Sequence, residues 1–355
     1  MNSFCGYSPE SNAQTEDNLL HLFPKQNTMD NKALSIGYHA SHEQFKPSHL
    51  LQLVQKAEQA GFGNILSSDH FYPWSEEQGE SGYAWSWLGA AMQATTLPFG
   101  VVSAPGQRYH PAIAAQKVAT LCEMFPHRFF LAAGSGQLLN ERITGQRWPS
   151  KQERNERLKL CVDIMRALWR GETVTHKGLV EVENAKLYTR PSYMPPVLGA
   201  AITPETAEWV GSWADGMITI SKPPQDLQKM VEAFYRGGGE GKPMHLKVQL
   251  SYDQTKEKAR QGAHEQWKNN VFPSALLSDI PTVKGFDAAG SMVKPDELEP
   301  HVRISDSAQE HIDLLAKDIE LGFTHLHLHN VNLQQEQYIE FFGERVLPEL
   351  KKVTI

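Results

Sequence analysis

Short apolar runs alternate with longer stretches of helical periodicity from residue 34 to the end of the chain. The short runs have the length of buried strands and cover 34–37, 64–68, 99–102, 129–133, 197–201, 216–220, 246–252 and 325–328. The helical stretches cover 47–60, 85–94, 111–125, 153–170, 203–213, 225–236, 256–270, 307–321 and 337–352. In the first of them, Leu50, Leu51, Val54 and Ala57 recur at the spacing that places them on one helix face. The pattern therefore predicts about eight strand–helix units.

Repeated strand–helix units imply parallel strands joined by right-handed crossovers. Eight units in 355 residues favour an α/β fold of the closed (β/α)8 TIM barrel type over an open doubly wound sheet. Two regions interrupt the alternation. In 171–190, β-branched residues flank Gly178 as in a small hairpin, and 271–302 is rich in Pro, Gly and Asp. We expect a single barrel domain over 31–355 with insertions at these two places.

The amino-terminal residues do not share this alternation. Residues 1–30 are mostly polar and lack the apolar core of a secretory signal, so we expect a disordered extension. Met29 stands just before the first strand and is an alternative start of translation.

The overall charge of the chain argues against two classes of binding partner. A net charge of −7 and a pI near 6.1 argue against a nucleic-acid or anionic membrane surface. Cys5, Cys122 and Cys161 match no disulfide framework or zinc spacing, and no apolar run is long enough to span a bilayer. We expect a cytoplasmic protein that acts on a small molecule.

The segment 68–74 carries the densest set of chemically capable side chains. Asp69, His70 and Trp74 lie within six residues, directly after the predicted strand 64–68. Active sites of α/β barrels lie at the carboxyl ends of the strands, so we interpret this segment as part of a catalytic rim. The alternative is a purely structural strand end, in which the carboxylate caps a turn and the rings cover the core.

Other predicted strands end in residues that would join the same rim. These are Glu43 after the first strand, Val102, Ser103 and Ala104 at the third, and Gly134, Ser135, Gly136, Gln137 and Asn140 after the fourth. Acid–base groups, amides and aromatic rings together suit a flat cofactor ring and proton transfer. The glycines let backbone approach a ligand, although a structural turn explains them as well. No GxGxxG or Walker A motif indicates a dinucleotide site.

A metal site is the alternative from a different class. His325, His327 and His329 alternate with Leu326 and Leu328, which places the three imidazoles on one face of a strand. A metal-dependent barrel hydrolase could use such a set. No second group of His and carboxylate residues accompanies it, so we expect no metal.

These segments together resemble the luciferase-like superfamily of flavin- and deazaflavin-dependent oxidoreductases. Among its members, the glucose-6-phosphate dehydrogenase type that uses the deazaflavin coenzyme F420 is the most similar. The resemblance runs from residue 34 to 351, with landmarks at 37–45, 68–74, 108–111, 134–141 and 214–216. It implies a (β/α)8 barrel whose cofactor ring lies across the carboxyl ends of the strands.

The resemblance also implies roles for individual residues. His70 matches the histidine that assists hydride transfer, Trp74 the indole over the reactive face, and Glu43 an active-site carboxylate. Asp69 and Asn140 match cofactor contacts, and Ala104 and Gly136 would lie beside the ring. The bond between Val102 and Ser103 stands where the family often has a non-proline cis peptide.

Several positions depart from the dehydrogenase pattern. Gln137 stands where those enzymes have a glutamate that acts as an acid, and Ile202 and Thr203 replace two glycines that hold the cofactor phosphate. Lys222 alone matches the cationic residues that hold a sugar phosphate, since Pro300 and His301 stand where an arginine is expected and Arg303 lies close by. From these departures we predict FMN rather than F420 as the cofactor, and we predict that glucose 6-phosphate is not a substrate.

The sequence thus predicts a flavin-dependent oxidoreductase that transfers a hydride to or from a ring at the barrel rim. A deazaflavin-dependent dehydrogenase and a monooxygenase that uses reduced flavin remain alternatives within the class. A flavin-binding protein without activity is a further alternative, suggested by Gln137. We expect a homodimer.

Overall fold

The computed structural model describes residues 34–352. Its strands are β1 (Ser35–Ala40), β2 (Ile65–Ser68), β3 (Phe99–Ser103), β4 (Phe129–Ala133), β5 (Val174–His176), β6 (Val182–Ala185), β7 (Val197–Ala200), β8 (Gly216–Ile220), β9 (Met244–Ser251), β10 (Arg303–Ile304) and β11 (His325–Asn330). Eight of them pair in parallel in the order β1-β2-β3-β4-β7-β8-β9-β11, and β11 pairs with β1 to close a barrel. The predicted (β/α)8 barrel is therefore confirmed.

Helices surround the barrel and follow its strands. They are α1 (Pro47–Gln59), α2 (Ala84–Ala94), α3 (Pro111–Met124), α4 (Leu138–Glu141), α5 (Lys151–Trp169), α6 (Pro204–Gly211), α7 (Pro224–Phe234), α8 (Lys256–Trp267), α9 (Ser274–Asp279), α10 (Val283–Gly290), α11 (Ala308–Glu320), α12 (Gln335–Phe341) and α13 (Leu347–Leu350). Side chains cap several amino termini; Ser150, for example, accepts a hydrogen bond from the backbone N–H of Glu153 at the start of α5. Among residues 34–352 we find no helix with the length and apolar character of a membrane span.

Two segments interrupt the barrel where the sequence indicates. β5 and β6 form an antiparallel hairpin before β7. Between α8 and α11 the chain forms α9, α10 and the short strand β10, which extends the edge of β9. The expected extension at residues 1–30 lies outside the described residues.

The interior of the barrel is apolar on one side and polar on the other. Leu66, Phe130, Ala132, Leu198 and Ile218 pack together on the apolar side. Gly100 makes room for the Phe130 ring, because a Cβ atom there would lie 1.9 Å from Phe130 Cζ. The polar side is lined by inward residues of β1, β9 and β11, namely His39, His245, Lys247, Gln249, His325, His327 and His329.

Candidate active site

Two titratable side chains meet at the mouth of the barrel. Glu43 follows β1 and His70 follows β2, and these adjacent parallel strands end at the same edge. His70 Nδ1 lies 2.5 Å from Glu43 Oε1, and Ser41 Oγ donates a hydrogen bond of 2.8 Å to Glu43 Oε2. Because an ionised carboxylate only accepts hydrogen bonds, Nδ1 carries the proton. The other ring nitrogen, Nε2, is then the one that can accept a proton from a substrate.

Glu43 stays ionised although it is buried. Burial alone would raise the pKa of this carboxyl, but the charge and hydrogen bond of His70, together with the charge of Lys247, hold the pKa well below its usual range. The carboxylate therefore fixes the tautomer and orientation of the imidazole at neutral pH. Such a pair can take a proton from a hydroxyl and stabilise the imidazolium that results.

Trp74 forms one wall beside this pair. Its ring meets the His70 ring edge to face, with centroids 5.0 Å apart. On its other side it packs against Phe286 of α10 at 5.1 Å, and the Asn269 amide donates to the Trp74 carbonyl over 3.2 Å. The segment between α8 and α11 thus holds the indole in place next to the His70 imidazole.

Four neighbouring side chains donate hydrogen bonds to the carboxylate or the backbone carbonyl of Asp69. Its carboxylate accepts hydrogen bonds from Trp85 Nε1 and Ser103 Oγ at 2.8 Å each and from the Tyr109 hydroxyl at 3.0 Å. Arg108 Nη2 donates to the Asp69 carbonyl over 2.6 Å. These contacts tie the ends of β2 and β3 together, so the carboxylate supports the rim while its neighbour His70 faces the cavity.

Asn140 leaves one donor unused. Its Oδ1 accepts hydrogen bonds from the backbone N–H groups of Phe71 and Tyr72 at 2.8 and 3.1 Å. Its Nδ2 is buried and has no partner among residues 34–352. A buried unpaired donor is costly, and a ligand oxygen at this point would satisfy it.

Gly136 and Ala104 lie beside one another at the ends of β4 and β3. Gly136 has φ +82°, and a Cβ atom there would lie 3.5 Å from Ala104 Cβ and 2.9 Å from Glu141 Cγ. Only glycine adopts this conformation readily in so tight a place. The segment from Gly134 to Gln137 is partly exposed, so its backbone is open to a ligand.

The expected cis peptide between Val102 and Ser103 is absent, since residues 34–352 contain only trans peptide bonds. This expectation was wrong for a geometric reason. β3 stays in regular parallel register with β4 through both residues, with Val102 opposite Ala132 and Ser103 opposite Ala133, and a continuous ladder of this kind requires an extended trans backbone.

Ile202 and Thr203 lie in the segment after β7, which neighbours β4 in the barrel. The Thr203 hydroxyl accepts from the Thr206 N–H and caps α6, and Ile202 is exposed. Helix α6 thus begins close to where the sequence places it, but its first turn has few N–H groups to offer, because Pro204 has none and those of Thr206 and Ala207 are bonded to Thr203. Glu205 in that turn adds a negative charge beside them.

Gln137 precedes α4 at the same rim. Its side-chain amide makes no hydrogen bond within the described part of the chain, so it can offer a hydrogen bond to a ligand. An amide cannot supply a proton.

Sequence reasoning missed Lys247 and Gln44. Lys247 points into the barrel from the middle of β9, and Gln44 links β11 to α8, since it accepts from His329 at 3.0 Å and donates to Gln266 at 3.1 Å. The signal for the first was present: His245, Lys247 and Gln249 alternate with apolar residues along one strand.

Comparisons with known proteins identify the family. The model of the luciferase-like monooxygenase family matches residues 25–325. The chain belongs to this family. Similar curated proteins of the family include an F420-dependent glucose-6-phosphate dehydrogenase from Microbacterium testaceum, 33% identical over 334 residues that cover 90% of this chain and 98% of that protein. The enzyme of the same name from Nakamurella multipartita is 32% identical over 333 residues, with the same coverage.

Solved structures agree with this luciferase-like assignment. An F420-dependent secondary alcohol dehydrogenase in complex with an F420–acetone adduct is 29% identical, with a TM-score of 0.83 over 90% of this chain and 99% of that one. The monooxygenase RslO1 from Streptomyces bottropensis shares the fold with a TM-score of 0.68 at 18% identity, over 89% of this chain and 99% of that one. The protein is therefore a luciferase-like oxidoreductase by family.

In this luciferase-like barrel, the histidines of β11 pack against protein groups. The His325 ring stacks on His245 at 4.1 Å, and His327 Nε2 lies 3.0 Å from His245 Nδ1. His329 contacts Gln44. Within residues 34–352, no group of three or more His, Cys, Asp or Glu residues is arranged to hold a metal ion.

The residues that would hold a sugar phosphate in this luciferase-like chain form an incomplete set. Lys222, His301 and Arg303 line a cavity of about 200 Å³. Arg303 is taken up by Asp318, with Nη1–Oδ2 and Nη2–Oδ1 distances of 2.5 and 2.9 Å. Burial and the charge of Lys222 lower the pKa of His301, which leaves two separate ammonium groups, those of Lys222 and Lys317, as the free cations that line this cavity.

Proposed function

We propose that the protein is an F420-dependent dehydrogenase that oxidises a secondary alcohol. The observation that carries the proposal is the pair of His70 and Glu43, in which Nδ1 of the imidazole donates to an ionised carboxylate and Nε2 is the ring nitrogen left for a substrate. The proposal draws its cofactor from the relatives, since similar enzymes over nearly the full length are F420-dependent dehydrogenases. It replaces the preference for FMN that the sequence alone suggested.

The residues at the rim fit a flat ring with carbonyl oxygens. The buried Nδ2 of Asn140 lacks a partner in the described chain and needs an acceptor. Gly136 brings backbone close to the same place without a side chain. Asn140, Gly136 and Ala104 would hold the ring, and the segment of Ile202 and Thr203 before α6 would lie beside its phosphate.

The bound deazaflavin would supply the acceptor for the hydride. The protein supplies the rest of the chemistry. His70 Nε2 would accept a hydrogen bond from the alcohol hydroxyl and then its proton, while Glu43 stabilises the positive charge on the ring. Trp74 would confine the alcohol on the side away from the barrel strands and exclude water from the reacting carbon.

FMN remains a second candidate for a specific reason. Ile202 and Thr203 stand where the F420 enzymes that the chain resembles have two glycines, and Glu205 places a negative charge at the start of α6. This combination disfavours the more extended anionic chain of F420. With FMN, the same site could serve a monooxygenase.

Titration of the purified protein with F420 and, separately, with FMN tests the proposal, with the fluorescence of Trp74 and the other tryptophans as the signal. We expect saturable binding of F420 and loss of its visible absorption on addition of propan-2-ol. Tight binding of FMN without binding of F420 would replace the proposed cofactor, and binding of neither would refute the proposed function.

The assembly is a separate proposal. We propose that the protein is a homodimer, which light scattering of the eluted protein would test directly. A monomer mass at all concentrations would contradict this.

A further inference from the structure

Lys247 is the point where solvent reaches the polar side of the barrel interior. It lies in the middle of β9, opposite His327 of β11 and Ile220 of β8. The seven other residues of β9 are buried, whereas Lys247 is partly exposed. Solvent therefore reaches the side chain of Lys247, although the other side chains of this strand are shielded from it.

The ammonium group faces the same cavity as the catalytic pair. The charge of Lys247 helps to keep the pKa of Glu43 low, and Glu43 in turn counteracts the burial that lowers the pKa of Lys247 to about 8. Lys247 Nζ lies 5.5 Å from the centre of the Trp267 ring, which meets the His329 ring edge to face at 4.9 Å. The charge of Lys247 also helps to lower the pKa values of three buried imidazoles, those of His39, His327 and His329.

No protein group satisfies this ammonium. Within residues 34–352, the side-chain nitrogen Nζ of Lys247 makes no hydrogen bond or ion pair, although the backbone carbonyl of Lys247 accepts from the Ser221 N–H. Glu43 is the carboxylate whose charge acts on Lys247. Both of its oxygens already accept hydrogen bonds, one from His70 and one from Ser41. An ammonium has three donors and accepts nothing, so three hydrogen bonds are available to a ligand at the floor of the site.

We propose that Lys247 binds a carboxylate of the substrate, and that the preferred substrate is a secondary alcohol that carries a carboxylate, as a 2-hydroxy acid does. The alcohol part of this inference rests on the proposed function. With the hydroxyl at His70 Nε2, a carboxylate next to the carbinol carbon would point deeper into the barrel, toward the ammonium.

The charges at the rim favour a carboxylate over a phosphate. A phosphate dianion calls for several cations, as in the bidentate sites that arginine forms. Two other cations near the rim are occupied: Arg108 lies 3.6 Å from both Asp69 and Glu141, and Arg303 is paired with Asp318. Lys222 lines the separate cavity near His301. The single ammonium group of Lys247 suits a monoanion.

Calorimetric titration of the full-length protein with D- and L-lactate, with and without F420, tests this assignment. We expect one lactate enantiomer to bind saturably and Lys247→Met to weaken that binding about tenfold or more, since a charge-assisted hydrogen bond is lost. Lys222→Met is the matched control, because Lys222 lines the separate cavity near His301, and it should leave lactate binding unchanged.

A second variant and a measurement on the wild type keep the test decisive. If Lys247→Met does not fold, Lys247→Gln takes its place in the test. It retains a polar side chain and should weaken lactate binding to a similar extent. In the wild type, lactate should slow reductive methylation of Lys247, read by peptide mass spectrometry, whereas propan-2-ol should not. Unchanged lactate affinity in the folded variants, no lactate binding, or no protection of Lys247 would overturn the inference.

The inference and the proposed function can fail separately. Lactate binding and lysine protection need no redox cofactor. Reduction of F420 by propan-2-ol without any effect of Lys247 on lactate would refute the carboxylate site alone. Lactate binding that depends on Lys247, without F420 binding, would refute the dehydrogenase alone.

Discussion

His70 Nδ1 and Glu43 Oε1 lie 2.5 Å apart, although the two residues follow different strands of the barrel. Adjacent parallel strands end at one edge, so the segments after β1 and β2 bring an acceptor and a donor into contact. The consequence is a fixed tautomer of the imidazole, with Nε2 directed to the cavity.

Glu43→Gln should lower turnover by about 100-fold or more, because an amide no longer stabilises the imidazolium formed in the reaction. Affinity for the cofactor should change little. Glu336→Gln is a matched control, since Glu336 contacts His49 at 3.0 Å on the exposed surface. Steady-state kinetics with F420 and an alcohol measure the difference, and equal effects of the two substitutions would contradict the role of Glu43.

His70→Ala should reduce turnover roughly 100- to 10,000-fold, and far more than it reduces cofactor affinity. Asn140, Gly136 and the neighbouring backbone would still hold the ring. Stopped-flow reduction of the bound cofactor and fluorescence titration give the two quantities, and a melting curve shows whether the variant is folded. A folded variant that reduces its cofactor at the normal rate would mean that His70 only packs against Trp74.

Asp69→Ala should destabilise the fold by about 3–5 kcal/mol, because it leaves the buried donors of Trp85, Ser103 and Tyr109 without their acceptor. Ser103→Ala is the comparison: it removes one donor only and should cost about 1 kcal/mol. Urea denaturation gives both values. A small loss for Asp69→Ala would show that water replaces the carboxylate.

The buried imidazoles predict a loss of stability in acid. Burial lowers the pKa of His311 to about 4, and His245 and His327 are also held well below their usual pKa by burial and by neighbouring imidazoles. These groups are neutral in the folded protein, whereas the unfolded chain binds protons below pH about 6.5. The free energy of unfolding should therefore fall as the pH drops below about 6.5, by about 2 kcal/mol between pH 7 and pH 5 for a group like His311.

Urea denaturation of the wild type and of His311→Gln at pH 7 and pH 5 measures how much His311 contributes to this loss of stability. The glutamine can still donate to the Ser305 carbonyl, which His311 Nε2 contacts at 3.1 Å, and the variant should lose less stability in acid. His49→Gln, on the exposed surface, should behave as the wild type does. The same acid loss in all three proteins would exclude His311 as a source.

Glucose 6-phosphate should not be oxidised at a measurable rate, with either F420 or FMN. The arginine that lines the cavity at Lys222 is held by Asp318, which leaves two separate ammonium groups, Lys222 and Lys317, in place of a guanidinium that could bind a phosphate with two hydrogen bonds. An absorbance assay at millimolar sugar phosphate, with a simple secondary alcohol as the positive control, decides the point. Turnover of the sugar phosphate would mean that the ion pair of Arg303 and Asp318 opens when the sugar phosphate binds.

The sequence predicted the barrel because each strand and helix leaves a local signature: apolar runs such as 129–133 and periodic stretches such as 47–60. It also located His70 and Glu43, because strand ends converge in this fold. It did not predict that Asp69 would be enclosed by Trp85, Ser103 and Tyr109, since those contacts depend on how α2 and the segment after β3 pack. Lys247 was overlooked, although His245, Lys247 and Gln249 alternate with apolar residues, because polar residues that alternate along a strand commonly face solvent, whereas those of β9 face the interior of the barrel.

The contact between Trp74 and Phe286 joins two parts of the chain that can change independently. The proton-transferring pair belongs to the first two strand–helix units, whereas the surface that encloses the indole belongs to a late insertion between α8 and α11. Replacement of that insertion by one of different length or composition would alter the size of alcohol admitted and leave the proton path in place. New substrates could thus arise in this lineage by exchange of one surface segment, without any change at the strands that carry the reaction.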